Sequence, residues 1–141
     1  MKKPRLGQNY LIDENIAHEI IHHAGISNNQ HVLEIGPGQG ILTTLLLEKA
    51  KSLIAIEIDS KLCLALTERF NENKNFQLIQ ADAVKYNYSA LVNKCQVVSN
   101  LPYYAATHIL KKLIHYREYF SQITVMLQKE VVDRLVAIPG T

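Results

Sequence analysis

The stretch HVLEIGPGQG, residues 31–40, decides the fold of this chain. Its first half is largely apolar and is typical of a buried strand. The three glycines that follow at alternate positions let the backbone turn tightly and let a ligand approach closely. A dinucleotide-binding turn would have the pattern G-x-G-x-x-G, whereas this turn is G-x-G-x-G, preceded by Glu34. Taken alone, the stretch also suits a plain connection between a strand and a helix.

On both sides of this stretch, predicted strands and helices alternate along the chain. Asp13 is a plausible N-cap for the first helix, which Gly25 closes. Such alternation predicts a mostly parallel sheet with helices on both faces, and therefore a three-layer α/β/α fold. The predicted strands are residues 31–35, 52–58, 76–79, 96–98 and 123–127, and the predicted helices are residues 14–24, 41–50, 60–70, 105–117 and 128–136, with a weak short helix in 86–94.

The composition is that of an ordinary globular protein. The chain has 141 residues, of which 48% are hydrophobic and 20% charged, with a formal net charge of +2. This length supports one domain, and no apolar run approaches the roughly 20 residues that a membrane helix needs. Cys63 and Cys95 lie far apart in the sequence, which favours two free thiols and a cytoplasmic location. The weak positive charge is compatible with a nucleic-acid partner without indicating one.

Polar residues follow the second and third predicted strands. Ligands of parallel α/β sheets bind beyond the carboxyl ends of the strands, so these residues are candidate site residues. Glu57 lies at the carboxyl end of the second strand and could accept hydrogen bonds from both hydroxyls of a ribose. Asp82 follows the third strand and could accept from an adenine amino group, or could instead cap the helix after it.

The segment after the fourth predicted strand, SNLPYY at residues 99–104, is the most specific signal. The side chain of Asn100 and a nearby backbone carbonyl are two acceptors that could converge on an amino group. Tyr103 offers a flat face on which an unstacked base could lie. The segment therefore indicates a reaction on a nucleobase amine, with an Asn-Pro turn and a packed tyrosine as the alternative.

Taken together, these segments resemble the class I S-adenosylmethionine-dependent methyltransferases. More narrowly, the chain resembles the KsgA family of ribosomal RNA adenine dimethyltransferases. The lead-in GQNYL is shared mainly with the Erm resistance methyltransferases, whereas GPG, NLPY and MLQKE favour the KsgA branch. The matching stretches, in family order, are GQNYL (7–11), EIGPGQG (34–40), IEID (56–59), QADA (80–83), NLPY (100–103) and MLQKEVVDRL (126–135).

The resemblance implies S-adenosyl-L-methionine as cofactor. Asn9 and Leu11 would lie against the cofactor from the lead-in. Gly36 would face its methionine part, and Gly38 would allow close approach. Glu57 would take the ribose hydroxyls.

The resemblance also assigns the reacting end of the site. Asp82 would take the cofactor adenine, and Asn100 would lie between the cofactor and the target base. Hydrogen bonds from the target amine to the Asn100 side chain and the Leu101 carbonyl would localise the nitrogen lone pair. Tyr103 would stack on the base.

The function implied by the resemblance is dimethylation of the exocyclic amino group of adenines in small-subunit ribosomal RNA. An Erm-type enzyme acting on large-subunit ribosomal RNA and a non-catalytic RNA- or DNA-binding relative remain alternatives. The class has seven strands and this family adds a small helical domain, so we expect residues 1–141 to form an incomplete methyltransferase domain. The absent strands would leave the fifth strand as an open edge prone to self-association.

Two other chemistries share part of the pattern. HEIIH, residues 18–22, matches the H-E-x-x-H pattern of zinc metalloproteases. The third histidine of the longer metalloprotease form would fall at position 28, which is Asn28, so we expect no metal. A nicotinamide oxidoreductase would share the strand, glycine turn and acid, but the third glycine is displaced and NLPY has no role in hydride transfer.

Overall fold

The computed structural model describes residues 13–137. Five helices and five strands make up most of this range, joined by short turns. The helices are α1 (Glu14–Ala24), α2 (Ile41–Lys49), α3 (Ser60–Arg69), α4 (Ala106–His115) and α5 (Lys129–Ala137), the strands are β1 (His31–Ile35), β2 (Ser52–Glu57), β3 (Phe76–Gln80), β4 (Cys95–Asn100) and β5 (Phe120–Met126), and the 3-10 turns are Tyr88–Ala90, Tyr103–Ala105 and Arg117–Tyr119.

The first helix, α1, has a capping residue at each end. The side chain of Asp13 accepts a hydrogen bond from the backbone N–H of Asn15 at 2.8 Å. At the other end, Gly25 adopts φ +61° and its N–H bonds to the carbonyls of Ile21 and His22. Both caps confirm the sequence prediction, because each satisfies backbone groups that a helix end leaves free.

The five strands form one parallel sheet in the order β3-β2-β1-β4-β5. The order reverses between β1 and β4, which pair only as far as Leu33 and Val97. Beyond that point, the Ser99 hydroxyl accepts from the Ile35 N–H at 3.0 Å and donates to the Ile35 carbonyl. The two strands therefore separate toward their carboxyl ends, where a doubly wound sheet binds its ligand.

Two apolar cores lie on opposite faces of the sheet. Along β1, Val32 belongs to the core under α1 and α2, whereas Leu33 belongs to the core under α4. Neighbouring side chains of a strand point to opposite faces, so this division is what a sheet covered on both sides requires. The three-layer α/β/α prediction is confirmed.

The bounds of the last two strands differ from the sequence prediction. β4 continues through Ser99 and Asn100, which pair with Val125 and Met126, and β5 begins at Phe120 rather than at residue 123. The apolar pattern stops at Val98, but backbone pairing needs no apolar side chain, so the polar residues stay extended. In the weak segment 86–94, only the single turn Tyr88–Ala90 is helical.

Within residues 13–137, β5 pairs with β4 on one side and with no strand on the other. An open strand edge is a template for pairing with another chain. We predict that residues 1–141 self-associate through this edge, which sedimentation velocity over a concentration series would detect. A lysine at Thr124 in β5 should weaken the association, because charge on an edge strand opposes pairing.

The matched control for that prediction is Asn73→Lys, which adds the same charge at an exposed loop position before β3. This variant should associate like the parent chain. A chain that stays monomeric at every concentration, or equal association of the two lysine variants, would contradict a role for the β5 edge.

Candidate functional site

A cleft lies beyond the carboxyl ends of the strands, at the point where β1 and β4 separate. Its empty volume, including the open mouth, is about 700 Å³. Four loops contribute to it, one after each of the strands β1 to β4. We call it the strand-end cleft and define it by Glu34, Gly36, Glu57, Ala83, Asn100 and Tyr104.

The glycine turn forms one wall of the cleft in a backbone conformation that requires glycine. Gly36, Gly38 and Gly40 all have positive φ, at +69°, +58° and +89°. A Cβ on Gly36 would lie 3.3 Å from the Cδ of Pro102, which follows β4. The turn after β1 and the loop after β4 therefore touch at Gly36, and any side chain there would be strained and crowded. Gly36 and Gly38 both line the cleft, as the sequence predicts.

Glu57 lies at the end of β2 and is 3% exposed. Its Oε1 accepts from the Gly38 N–H at 3.3 Å, and its Oε2 accepts from the Asp59 N–H at 3.0 Å. Burial raises the pKa of Glu57, and the two backbone donors partly offset this effect. The carboxylate is thus held against the glycine turn, and each of its oxygens can accept another hydrogen bond.

Glu34 is a second carboxyl group in the cleft wall, and the sequence analysis gave it no role. It is 1% exposed, and the Thr43 hydroxyl of α2 donates to its Oε1 at 2.6 Å. Burial raises its pKa to about 8, although the Thr43 bond opposes this shift, and the negative charge of Glu57 adds to it. Its place in the motif before the first glycine was visible in the sequence, but its degree of burial was not.

Asp82 occupies a tight turn between Ala81 and Ala83, which both line the cleft. Its Oδ1 accepts from the Val84 N–H at 2.9 Å within this turn. No helix begins there, because the next helical turn, Tyr88–Ala90, is capped by Asn87, so the alternative of a helix cap at Asp82 is wrong. The charge of Asp82 also reaches the cleft: burial raises the pKa of Tyr104, and the charges of Asp82 and Glu57 add to the shift. Both carboxylates therefore act on the same phenol.

Asn100 is the last residue of β4 and lines the cleft. Leu101 buries its side chain in the core, and its N–H bonds to the Met126 carbonyl at 3.2 Å. Tyr103 and Tyr104 are 42% and 43% exposed, and of the two it is Tyr104 that lines the cleft. The sequence analysis predicted Tyr103 as the stacking residue, and the 3-10 turn that orients the two tyrosines has no signature in the motif. That Tyr103 stacks on a base stays a prediction.

Two predicted cofactor residues, Asn9 and Leu11, lie outside the described residues. Their proposed contacts with the cofactor stay predictions.

The two histidines of the HEIIH motif are exposed on α1. Across residues 13–137, no three histidine, cysteine, aspartate or glutamate side chains are grouped to hold a metal ion. The absence of a metal remains a prediction for the chain. In the same range, no helix combines the length and the apolar character needed to cross a bilayer.

Comparison with known proteins assigns the chain to a family. The family model for ribosomal RNA adenine dimethylase matches residues 1–141. The chain belongs to this family. A curated relative, ribosomal RNA small subunit methyltransferase A of Clostridium acetobutylicum, is 44% identical over 140 residues, which are 97% of this chain and 51% of the relative. The chain thus spans about half the length of the curated relatives it matches.

Solved structures of the family and of similar methyltransferases share the fold. A dimethyladenosine transferase from Plasmodium falciparum superposes with a TM-score of 0.79 at 33% identity, covering 94% of this chain and 48% of that one. The 23S rRNA methyltransferase ErmE superposes with a TM-score of 0.75 at 26% identity, covering 87% of this chain and 49% of that one. These comparisons confirm the predicted family and the Rossmann-like class I methyltransferase fold.

Proposed function

We propose that the strand-end cleft binds S-adenosyl-L-methionine. We further propose that the protein built on this domain dimethylates the exocyclic amino group of adenines in small-subunit ribosomal RNA. Family membership and the name of the Clostridium acetobutylicum relative support the reaction and the substrate. The greater identity to that relative than to ErmE favours small-subunit over large-subunit RNA. Such a substrate implies a cytoplasmic protein that works on the ribosomal subunit.

The charge of the cleft carries the cofactor proposal. Glu34 and Glu57 both line it, and no lysine or arginine of residues 13–137 does. Glu57 supplies the negative charge of the cleft, since burial raises the pKa of Glu34 to about 8 and keeps that group neutral at pH 7. A cleft with one carboxylate and no cation suits a ligand with positive charge, such as the sulfonium and ammonium of S-adenosylmethionine. The pyrophosphate of a nicotinamide dinucleotide would find no basic side chain in this wall. The same observation therefore disfavours the oxidoreductase alternative.

The residues present fit the parts of this cofactor. Glu57 has the acceptor capacity for two ribose hydroxyls, the Asp82 turn lies at the next strand end, and the glycine turn leaves room for the methionine part. When bound, the cofactor supplies an electrophilic methyl group.

The chain's own residues would activate and align the target amine. The lone pair of the adenine amino nitrogen is delocalised into the ring, so the nitrogen is a weak nucleophile. Hydrogen bonds from the amine N–H groups to the Asn100 side chain and the Leu101 carbonyl would localise that lone pair as the nitrogen becomes tetrahedral. A tyrosine face, from Tyr103 or Tyr104, would hold the unstacked base in line with the methyl group. No step requires a catalytic histidine.

We predict that Glu57→Ala and Asp82→Ala each weaken S-adenosylmethionine binding by about 1–3 kcal/mol, because each leaves ligand donors without a partner. Isothermal titration calorimetry on the purified chain would measure this change. Glu48→Ala removes an exposed carboxylate from α2 outside the cleft, and it should bind like the parent chain. Unchanged affinity in both the Glu57 and the Asp82 variant would remove this site from the proposal.

A further inference from the structure

Two side chains, those of Tyr88 and Lys112, donate hydrogen bonds to the backbone of the turn that carries Asp82. The Asp82 carbonyl accepts from the Lys85 and Tyr86 N–H groups, both at 2.9 Å, which closes the turn. The Tyr88 hydroxyl donates to the Ala83 carbonyl at 2.8 Å. The ammonium of Lys112, from the last turn of α4, donates to the Val84 carbonyl at 2.6 Å. The carbonyls of the two residues after Asp82, Ala83 and Val84, are therefore both held by side-chain donors.

Lys112 occupies an unusual position for a lysine. It is partly buried, and its ammonium lies 5.8 Å from the ring centre of Tyr88 and 5.9 Å from that of Tyr116. Within residues 13–137, it forms no ion pair with a carboxylate. Desolvating an ammonium without a carboxylate is unfavourable, so the carbonyl bond and the two ring faces must offset that cost. The neighbouring Lys111 is exposed, as lysines usually are.

Tyr88 forms the rigid part of this support. Its side chain is fully buried and packs edge-on against Phe120 at 5.8 Å between ring centres. Burial is the main cause of the raised pKa of its hydroxyl, so the phenol stays protonated and remains a donor. A buried ring with a fixed donor gives the Ala83 carbonyl one defined position.

We propose that Lys112 and Tyr88 are positioning residues that hold the Asp82 turn in the shape that recognises the adenine of the cofactor. The inference rests on the proposed function, in which Asp82 accepts from the adenine amino group. α4 begins just after the Asn100–Tyr104 loop and reaches the Asp82 turn through Lys112. One helix thus joins the loop proposed for the target amine to the turn proposed for the cofactor base.

The test compares two ligands that differ only at the base. S-adenosylhomocysteine carries the amino group, and S-inosylhomocysteine carries an oxygen acceptor in its place. We expect the parent chain to bind the adenosyl ligand more tightly. Lys112→Met should lower affinity for the adenosyl ligand about three- to tenfold and leave affinity for the inosyl ligand unchanged, so that the ratio of the two affinities falls. Lys111→Met, the adjacent exposed lysine, should keep the ratio of the parent chain.

The ratio separates positioning from a general effect on folding, because loss of folded protein weakens both ligands equally. If Lys112→Met does not fold, Tyr88→Phe removes only the hydroxyl and should lower the ratio in the same way. A parent chain that binds neither ligand, or does not distinguish them, would overturn the proposed role of Asp82 and the inference with it. A parent chain that distinguishes them, with the same ratio in Lys112→Met or Tyr88→Phe, would overturn the inference alone.

Discussion

Replacement of Asn100 by alanine is expected to lower kcat for RNA methylation by about 100-fold or more. The side chain lies at the end of β4 in the wall of the strand-end cleft, where its amide oxygen can accept a hydrogen bond from the target amine. That bond strengthens as the nitrogen becomes tetrahedral, so its loss should lower kcat and kcat/KM together. The magnitude follows the loss of one preorganised hydrogen bond to a transition state.

This prediction needs a chain of the length of the relatives. A suitable protein is a chimaera in which residues 1–141 are followed by the carboxy-terminal half of the Clostridium acetobutylicum relative. Incorporation of methyl groups into small ribosomal subunits would be measured for Asn100→Ala and for Asn93→Ala, which changes an exposed asparagine before β4. Asn93→Ala should keep full activity. Near-normal turnover of Asn100→Ala would contradict the assignment of this loop to the methyl-transfer step.

The second large effect concerns stability and pH at Glu34. The ordinary pKa of this carboxyl group is 4.5, and burial raises it to about 8 in the folded protein. Between these pH values the folded state binds a proton that the unfolded state has lost, so stability falls as pH rises and levels off above the folded pKa. Glu34→Gln keeps an acceptor for the Thr43 hydroxyl and cannot ionise. Its stability relative to the parent chain should therefore grow by roughly 2–4 kcal/mol across this window.

Chemical denaturation at several pH values would measure the difference between the two proteins. Every other titrating group is shared, so its contribution largely cancels in the comparison. A stability difference that stays constant across the window, or that changes in the opposite direction, would show that Glu34 is not held protonated by its burial.

Much of the fold follows from local patterns in the sequence. The bounds of β1 and the capped helix α1 are as predicted, because an apolar run and two capping residues are local signals. The parallel sheet follows from the alternation of strands and helices. The candidate site follows as well, since the predicted residues Gly36, Glu57 and Asn100 come together at one edge of that sheet.

The features that the sequence missed all depend on tertiary contacts. Ser99 and Asn100 belong to β4 because β5 pairs with them, and no local preference for a strand marks them. Tyr104 rather than Tyr103 lines the cleft because of a 3-10 turn that neither side chain specifies. Lys112 has no motif around it, and its contact with the Asp82 turn spans 28 residues of chain.

Calorimetric titration of residues 1–141 with S-adenosylmethionine tests the central claim most directly, with circular dichroism to confirm that the chain is folded. The carboxylate of Glu57 and the absence of basic residues from the described cleft wall predict saturable binding at one site per chain. They also predict no binding of a nicotinamide dinucleotide under the same conditions. A folded chain that binds the dinucleotide and not S-adenosylmethionine, or that binds neither, would contradict the account.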